Sequence, residues 1–276
     1  MTPPFLPDPE TVEAVNASLI LRRPLLLTGR PGSGKSSLIE SVASQLGLGP
    51  VLRWHITSRS TLVDALYRYD AIGRLHARSL DDRTPAISEY LRLGPLGTAL
   101  LPSRRPRALL VDEIDKGDID LPNDLLSIFE RGEYEIPELS RLGEQSFDIR
   151  EDGTGTPVAI TGGRIECSEF PFVVLTSNGE REFPPAFLRR CIRHRMPDPD
   201  AAKLKKIVTA HLGADVADAC SALISEFADR ADRSKAHATD QLLNAVFILT
   251  RKAAPESAER DRVIELLFTE LTTDLT

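Results

Sequence analysis

The chain has 276 residues, 41% of them hydrophobic and 27% charged, and a formal net charge of −7. This composition is typical of a globular protein with a sizeable core, in one large domain or, as we expect, two. No apolar run reaches the ~18 residues of a membrane span, the N-terminus MTPPFLPDPE lacks a signal-peptide pattern, and the acidic balance disfavours bulk binding of nucleic acid. We therefore expect a cytoplasmic protein that enters no membrane.

The N-terminal part of the chain predicts helices that alternate with strands. Four prolines in the first ten residues indicate an extended arm, which together with the next helix forms a segment over 1–22. The predicted elements that follow are a helix over 11–23, a buried strand over 24–29, a helix over 35–49 that ends at Gly47, and a strand over 51–57. Residues 59–105 are mixed and contain helical pieces.

The middle of the chain continues the alternation. The predicted elements are a third strand, RALLVDE, over 107–113, a helix over 123–134, a projecting hairpin within 135–170, and a fourth strand over 170–178. Strands that alternate with helices over 23–196 predict an α/β core with a mostly parallel sheet, sandwiched by helices.

The alternation of predicted strands and helices stops at MPDPDAAK (196–203), where two prolines interrupt the pattern. Only helical periodicity follows, in about four segments, so 197–276 is predicted to be a separate all-α piece. The odd count of cysteines, far apart and without metal-ligand spacing, predicts reduced structural thiols at Cys167, Cys191 and Cys220.

GRPGSGKS (29–36), the phosphate loop, fits G-x-x-x-x-G-K-[ST] between a predicted strand and a predicted helix. Its glycines let backbone N–H groups surround phosphates, Lys35 can reach the β- and γ-phosphates, and the Ser36 hydroxyl can bind Mg²⁺. A Gly-rich helix cap is the structural alternative. The predicted nucleotide-binding residues here are Gly29, Arg30, Pro31, Gly32, Ser33, Gly34, Lys35, Ser36 and Ser37.

Two further strands end in polar residues. Asp112 and Glu113 end the apolar run ALLV, and Thr176, Ser177 and Asn178 end the fourth strand. Ligands of α/β sheets bind at the carboxyl ends of strands. We expect Asp112 to hold Mg²⁺, Glu113 to orient and deprotonate the attacking water, and Asn178 to hydrogen-bond that water or the γ-phosphate. An acidic turn and a helix cap are the structural alternatives.

The segment FPPAFLRRCIRHR (183–195) places five cationic or potentially cationic side chains within seven positions. Taken alone, it fits a solvated basic patch, a nucleic-acid contact or a device aimed at one anion. The stretch alone does not decide among these three interpretations, and we expect Arg193, His194 and Arg195 to belong to the next strand.

Together these residues resemble the AAA+ ATPases over about residues 10–270. GRPGSGKS is similar to Walker A, ALLVDEID to Walker B, TSN to sensor 1, FPPAFLRRC to the arginine-finger segment, and the helical tail to the AAA+ lid. The chain resembles in particular the MoxR-like branch of this family. The resemblance lies in DEIDK followed by NDLLSIFERGEYEI and in extra segments near 58–105 and 135–170.

The resemblance implies a Mg²⁺-dependent ATP hydrolase that assembles into a ring, with a hexamer favoured, and that remodels or activates a protein partner. For the MoxR-like branch, this implies a von Willebrand factor A (vWA) partner, within a bacterial conflict or stress system. Arg189, preferred slightly over Arg190, would reach the γ-phosphate that the neighbouring subunit holds.

The tail departs from the family pattern at sensor 2, where many lids carry an arginine. The best candidate here is Lys235, with Arg233 as runner-up, and a lysine cannot form the bidentate fork of an arginine. An aromatic–Gly pore motif is also missing from the sequence, which disfavours simple unfolding of threaded polypeptide. A nucleotide-gated binding module or a DNA-directed motor remains the alternative, the latter through arginines at 141, 150 and 164.

Overall fold

The computed structural model describes residues 5–80, 85–234, 239–250 and 262. The strands are β1 (Leu25–Thr28), β2 (Leu52–His55), β3 (Tyr67–Tyr69), β4 (Leu91–Leu93), β5 (Ala108–Asp112), β6 (Glu133–Glu135), β7 (Ser146–Arg150), β8 (Pro157–Thr161), β9 (Arg164–Glu166), β10 (Phe172–Ser177) and β11 (Ile192–Arg195). The helices are α1 (Pro9–Leu21), α2 (Lys35–Leu46), α3 (Leu62–Leu66), α4 (Ala71–Leu80), α5 (Pro95–Ala99), α6 (Leu121–Arg131), α7 (Pro137–Ser140), α8 (Pro185–Leu188), α9 (Ala201–Leu212), α10 (Ala214–Ala219), α11 (Ser221–Ser234) and α12 (Thr239–Leu249).

The chain divides into two compact units. One, the sheet unit, comprises Glu10–Leu27 and Val42–His194; the other, the lid unit, comprises Met1–Pro9, Thr28–Ser41 and Arg195–Thr276. The phosphate loop therefore belongs to the lid unit. Asp112, Glu113, Arg189 and Arg190 belong to the sheet unit. The described helices include none that is long and apolar enough to cross a bilayer.

The main sheet has five strands in the order β11-β1-β10-β5-β2. β5 pairs in parallel with β10 on one side and with β2 on the other. Both β5 and β10 are buried and are apolar up to their polar C-terminal ends, as expected for strands covered on both faces. The predicted α/β fold with a mostly parallel central sheet flanked by helices is confirmed.

Helix α6 is shorter than predicted. The sequence predicts a helix to residue 134, but α6 ends at Arg131 because Gly132 adopts a left-handed backbone (φ 67°) and caps it. Glu133–Glu135 then forms β6, which pairs antiparallel with β9. The glycine ends the helix although the apolar pattern continues past it.

A second sheet, in the order β3-β4-β7-β8, joins two segments that are far apart in the sequence. The predicted hairpin within 135–170 is present as β7 and β8, with Ile149 opposite Val158. Its neighbours β3 and β4 lie in the segment that the sequence predicts as mixed with helical pieces, and that prediction missed both strands. Each has only three residues, too few for a strand period to stand out.

The helices of the lid unit have their own apolar core, which includes Leu204, Val208, Phe227 and Leu242. The second lid helix predicted from the sequence is divided in two at Cys220, between α10 and α11. The helical pattern predicted over 259–271 lies outside the described residues apart from Arg262. All three cysteines are free thiols, and burial raises the pKa of Cys191 to about 12, so that this thiol stays protonated at neutral pH.

Candidate functional site

The phosphate loop turns between β1 and α2, and backbone conformations favourable only to glycine shape it. Gly32 and Gly34 have φ of 73° and 88°. A Cβ on Gly34 would lie 3.0 Å from the ring of Phe5, so the N-terminal arm packs on the loop at that point. Helix α2 begins at Lys35, and the loop therefore ends where the N–H groups of a helix start.

Lys35 is folded back onto the loop. Its Nζ donates to the carbonyl oxygens of Gly29 at 2.6 Å and Arg30 at 2.9 Å, and the side chain is buried. A buried ammonium group needs acceptors for its protons. The loop holds this charge ready beside the N-terminus of α2, the position where an anion is stabilised.

Two more polar side chains of the loop support a bound anion. Among the described residues, the buried Ser33 Oγ has no hydrogen-bond partner, which is rare for a buried hydroxyl. Arg30 Nε lies 3.2 Å from Asp198 Oδ2 at the border of a cleft of about 380 Å³, formed within the lid unit by the loop, α11 and the start of α9. An orphaned hydroxyl in a loop of this shape fits a phosphate-bearing ligand.

In the sheet unit, the ends of β5 and β10 are joined by a threonine. Thr176 Oγ1 donates to Asp112 Oδ1 at 2.5 Å and accepts the backbone N–H of Glu113 at 2.9 Å. Thr176 is buried, so one side chain fixes both the carboxylate of Asp112 and the backbone that presents Glu113. The parallel pairing of β5 and β10 brings these residues together.

The carboxylate of Glu113 lies within a polar cluster. Its Oε1 accepts from Lys116 Nζ at 2.9 Å and from Asn178 Nδ2 at 3.4 Å. His55, in register with Asp112 on β2, has Nε2 3.6 Å from Glu113 Oε2. The hydrogen bond to Glu113 raises the pKa of Lys116 above its ordinary value. The carboxylate of Glu113 is thus oriented and close to Asn178, as a base that activates water must be.

A buried aspartate fixes the loop that carries Asn178. Asp115 Oδ2 accepts from Ser177 Oγ at 2.9 Å and from the backbone N–H groups of Asn178 and Glu180, both at 3.0 Å. Asp115 itself is 3% exposed, so its carboxylate depends on these donors and not on water. The loop after β10 is thereby tied to the loop after β5.

The two arginines at the end of α8 have different surroundings. Arg190 forms an ion pair with Glu130 of α6 and also donates to the carbonyl oxygen of Ala186. Arg189 is exposed, and the structure gives its guanidinium group no ion pair or hydrogen bond among the described residues. Its backbone is bonded: the N–H donates to Pro185, and the carbonyl oxygen accepts from Arg23. The predicted strand that follows is present as β11.

The sequence gives only weak signals for several residues of this site. His55, Asp115 and Glu130 acquire their roles when strands and helices distant in the sequence meet, whereas Lys116 contacts Glu113 from three residues along the chain. The strand pattern that ends at His55 and the acidic run after Glu113 were the available signals. The sensor 2 candidate Lys235 lies outside the described residues, and Arg233 lies in α11.

The fold and the phosphate loop define an AAA+ domain. A family model described as the AAA domain of the dynein-related subfamily matches residues 24–191, and the chain belongs to that family. Among solved structures, domain III of the Thermotoga maritima replication initiation protein DnaA is similar, with a TM-score of 0.48 and 16% identity, over 96% of this chain and 95% of that chain. No curated protein matches the chain.

Proposed function

We propose that the chain is a Mg²⁺-dependent ATP hydrolase of the MoxR-like type that assembles into a ring and uses ATP to remodel or activate a protein partner. The observation that carries this proposal is the contact between Glu113 and Asn178 at the carboxyl ends of β5 and β10. A protein that only bound nucleotide would have no need of a carboxylate and an amide oriented toward each other in this way.

In the proposed reaction, the phosphate loop binds the phosphates of ATP. Its N–H groups and Lys35 neutralise the charge, and Lys35 exchanges the carbonyl oxygens of Gly29 and Arg30 for phosphate oxygens. The hydroxyl of Ser36 and the carboxylate of Asp112 are hard oxygen donors of the kind that Mg²⁺ takes from proteins. We assign Mg²⁺ binding to these two residues, and the metal would neutralise charge on the phosphates.

Glu113 would then take a proton from the attacking water. Asn178 and Lys116 both contact Oε1 of Glu113, so Oε2 is the oxygen that faces away from them and is suited to receive the proton. Asn178 would hold the same water by its amide oxygen or amide nitrogen. Because Asp115 fixes the Asn178 loop, little side-chain freedom would be lost when the water binds.

We assign the arginine finger to Arg189 and a positioning role to Arg190. Glu130 neutralises Arg190 within its own subunit, whereas the guanidinium of Arg189 is exposed at the end of the same short helix. A guanidinium group that reaches a neighbouring subunit must not be held in an ion pair by a carboxylate of its own subunit. A vWA-domain protein as the partner and a cytoplasmic location are parts of the same proposal.

The test is a steady-state ATPase assay across protein concentration. We expect the rate per subunit to rise with concentration, and Arg189→Ala to lower it by about 10³-fold while ATP binding is retained. Arg190→Ala and Glu130→Gln should each lower the ATPase rate by a similar and smaller factor, because both break the same ion pair. Arg193→Ala, on the exposed side of β11, is the matched control and should behave as the wild type.

The opposite outcome is also informative. A rate that is independent of concentration and indifferent to both Arg189 and Arg190 would make them a surface patch. The protein would then be a monomeric nucleotide switch.

A further inference from the structure

Three arginines lie side by side on the four-stranded sheet. Arg68 is opposite Arg92 in the antiparallel pair of β3 and β4, and Arg92 is opposite Arg150 in the parallel pair of β4 and β7. Opposite residues share a face, and neighbouring strands are about 4.8 Å apart. All three side chains are exposed. We call Arg68, Arg92 and Arg150 the arginine row.

The core of the sheet unit fixes this arrangement. Tyr67, Leu91, Leu93 and Ile149 alternate with the arginines along the same strands and are buried in the apolar core. A shift of register by one residue would bury the arginines and expose these side chains, so the register is strongly determined. The row is therefore a stable feature of the folded sheet.

The arrangement costs stability unless an anion compensates it. Like charges on directly opposite strand positions repel each other. Within the part of the chain that the structure describes, none of the three guanidinium groups has an ion pair or hydrogen bond. The charge of Arg68 acts on Asp152, whose pKa is raised by burial and lowered in part by that charge. An external anion is the natural partner for such a row.

The surroundings of the row select the kind of anion. Arg92 and Arg150 line a cleft of about 560 Å³, and Glu89 and Asp148 line the same cleft. A nucleic-acid backbone, with its continuous phosphate charge, would be repelled by these carboxylates and by the net charge of −7. A protein segment can place single carboxylates on the arginines and neutral groups elsewhere.

We propose that the arginine row binds an acidic segment of a protein partner. Carboxylates of the segment meet the guanidinium groups in the bidentate geometry that suits this pair. No residue of the row belongs to the ATP machinery proposed above, so the surface and the reaction succeed or fail separately.

The test uses a fluorescent peptide of alternating glutamate and threonine, its glutamine counterpart, and a single-stranded oligonucleotide. We expect the wild type to bind only the glutamate peptide, with an affinity that falls as salt rises. The triple variant Arg68→Gln, Arg92→Gln, Arg150→Gln should weaken binding by at least about tenfold. Arg164→Gln, an exposed arginine on β9, is the matched control and should leave binding unchanged.

Folding stability gives a second readout that needs no ligand. Arg92 has a like charge on each side, so Arg92→Gln should raise the melting temperature by about 1–3 °C at low salt, and less at high salt. Melting at low and high salt also shows that the variants fold. A fall in melting temperature would mean that Arg92 already has a partner within the protein, and would overturn the proposal.

Three binding outcomes would also overturn it. They are no binding of the glutamate peptide up to about 1 mM, binding that is indifferent to the triple variant, and stronger binding of the oligonucleotide through the same arginines. The last would identify a nucleic-acid surface instead.

Discussion

Glu113 is the residue in which the most contacts of the candidate site meet. Its carboxylate contacts Lys116, Asn178 and His55, and its backbone N–H is held by Thr176. Of these, the sequence allowed Glu113 and Asn178 to be predicted, because each follows an apolar strand. The contacts with His55 and Thr176 join β2, β5 and β10, which lie about 60 residues apart along the chain. No local pattern reports a contact of that range.

The substitution Glu113→Gln tests the proposed role of Glu113 as the base. The amide keeps the shape of the side chain but cannot accept a proton, so ATP should still bind while turnover falls by about 10²–10⁴-fold. Loss of the negative charge should also lower the pKa of Lys116, because the hydrogen bond to Glu113 is what raises it. Nucleotide binding, phosphate release and the titration of Lys116 by NMR measure the three effects.

Normal turnover in Glu113→Gln would disprove the role of Glu113 as the base. Asp118→Asn serves as a control for general loss of negative charge, since Asp118 is exposed and caps only the local turn at Asp120.

At the scale of elements, Asp115 couples the loop after β5 to the loop after β10. We expect Asp115→Ala to cost about 2–4 kcal/mol of unfolding free energy, because the buried hydroxyl of Ser177 and the backbone N–H groups of Asn178 and Glu180 lose their acceptor. Turnover should fall as well, since Asn178 is no longer fixed. Asp118→Ala is the matched control and should cost less than about 0.5 kcal/mol.

Chemical denaturation gives the free energies, and the ATPase assay gives the rates. If Asp115→Ala is as stable as the wild type, the hydrogen bonds of Asp115 are not what holds this loop, and our account of how Asn178 is positioned fails.

The elements themselves were predictable to different degrees. The elements β5, β10 and α2 were predicted from the sequence. Each is buried along one face or over most of its length, and this burial gives a clear pattern of apolar residues. The short strands β3 and β4 could not, because sheet pairing with β7 defines them and their own residues do not. Likewise, α6 ends at a glycine cap, although its apolar pattern runs on.

At the scale of the whole molecule, the proposed reaction needs more than one copy of the chain. Mixing two inactive variants tests this directly. Lys35→Ala lacks the phosphate-binding lysine, and Arg189→Ala lacks the finger, so each alone should be inactive. In an equal mixture, half of the subunits carry an intact phosphate loop and the other half an intact Arg189. About a quarter of the interfaces therefore combine the loop of an Arg189→Ala subunit with the arginine of a Lys35→Ala subunit.

We therefore expect activity to return to about a quarter of the wild-type rate. A mixture that stays inactive, although both variants still assemble, would mean that Arg189 does not act on a neighbour. The phosphate loop lies within the first 41 residues but belongs to the same compact unit as the C-terminal helices, and no local sequence pattern indicates that grouping.

The backbone of Glu113 is left-handed, with φ 58° and ψ 48°. A residue with a long side chain loses about 1–2 kcal/mol in that conformation relative to glycine. A glycine at 113 would thus relieve the backbone and delete the carboxylate in one step, so selection for stability alone would remove the base. If Glu113 has been retained for its chemistry, it marks a position where the fold accepts strain in exchange for activity.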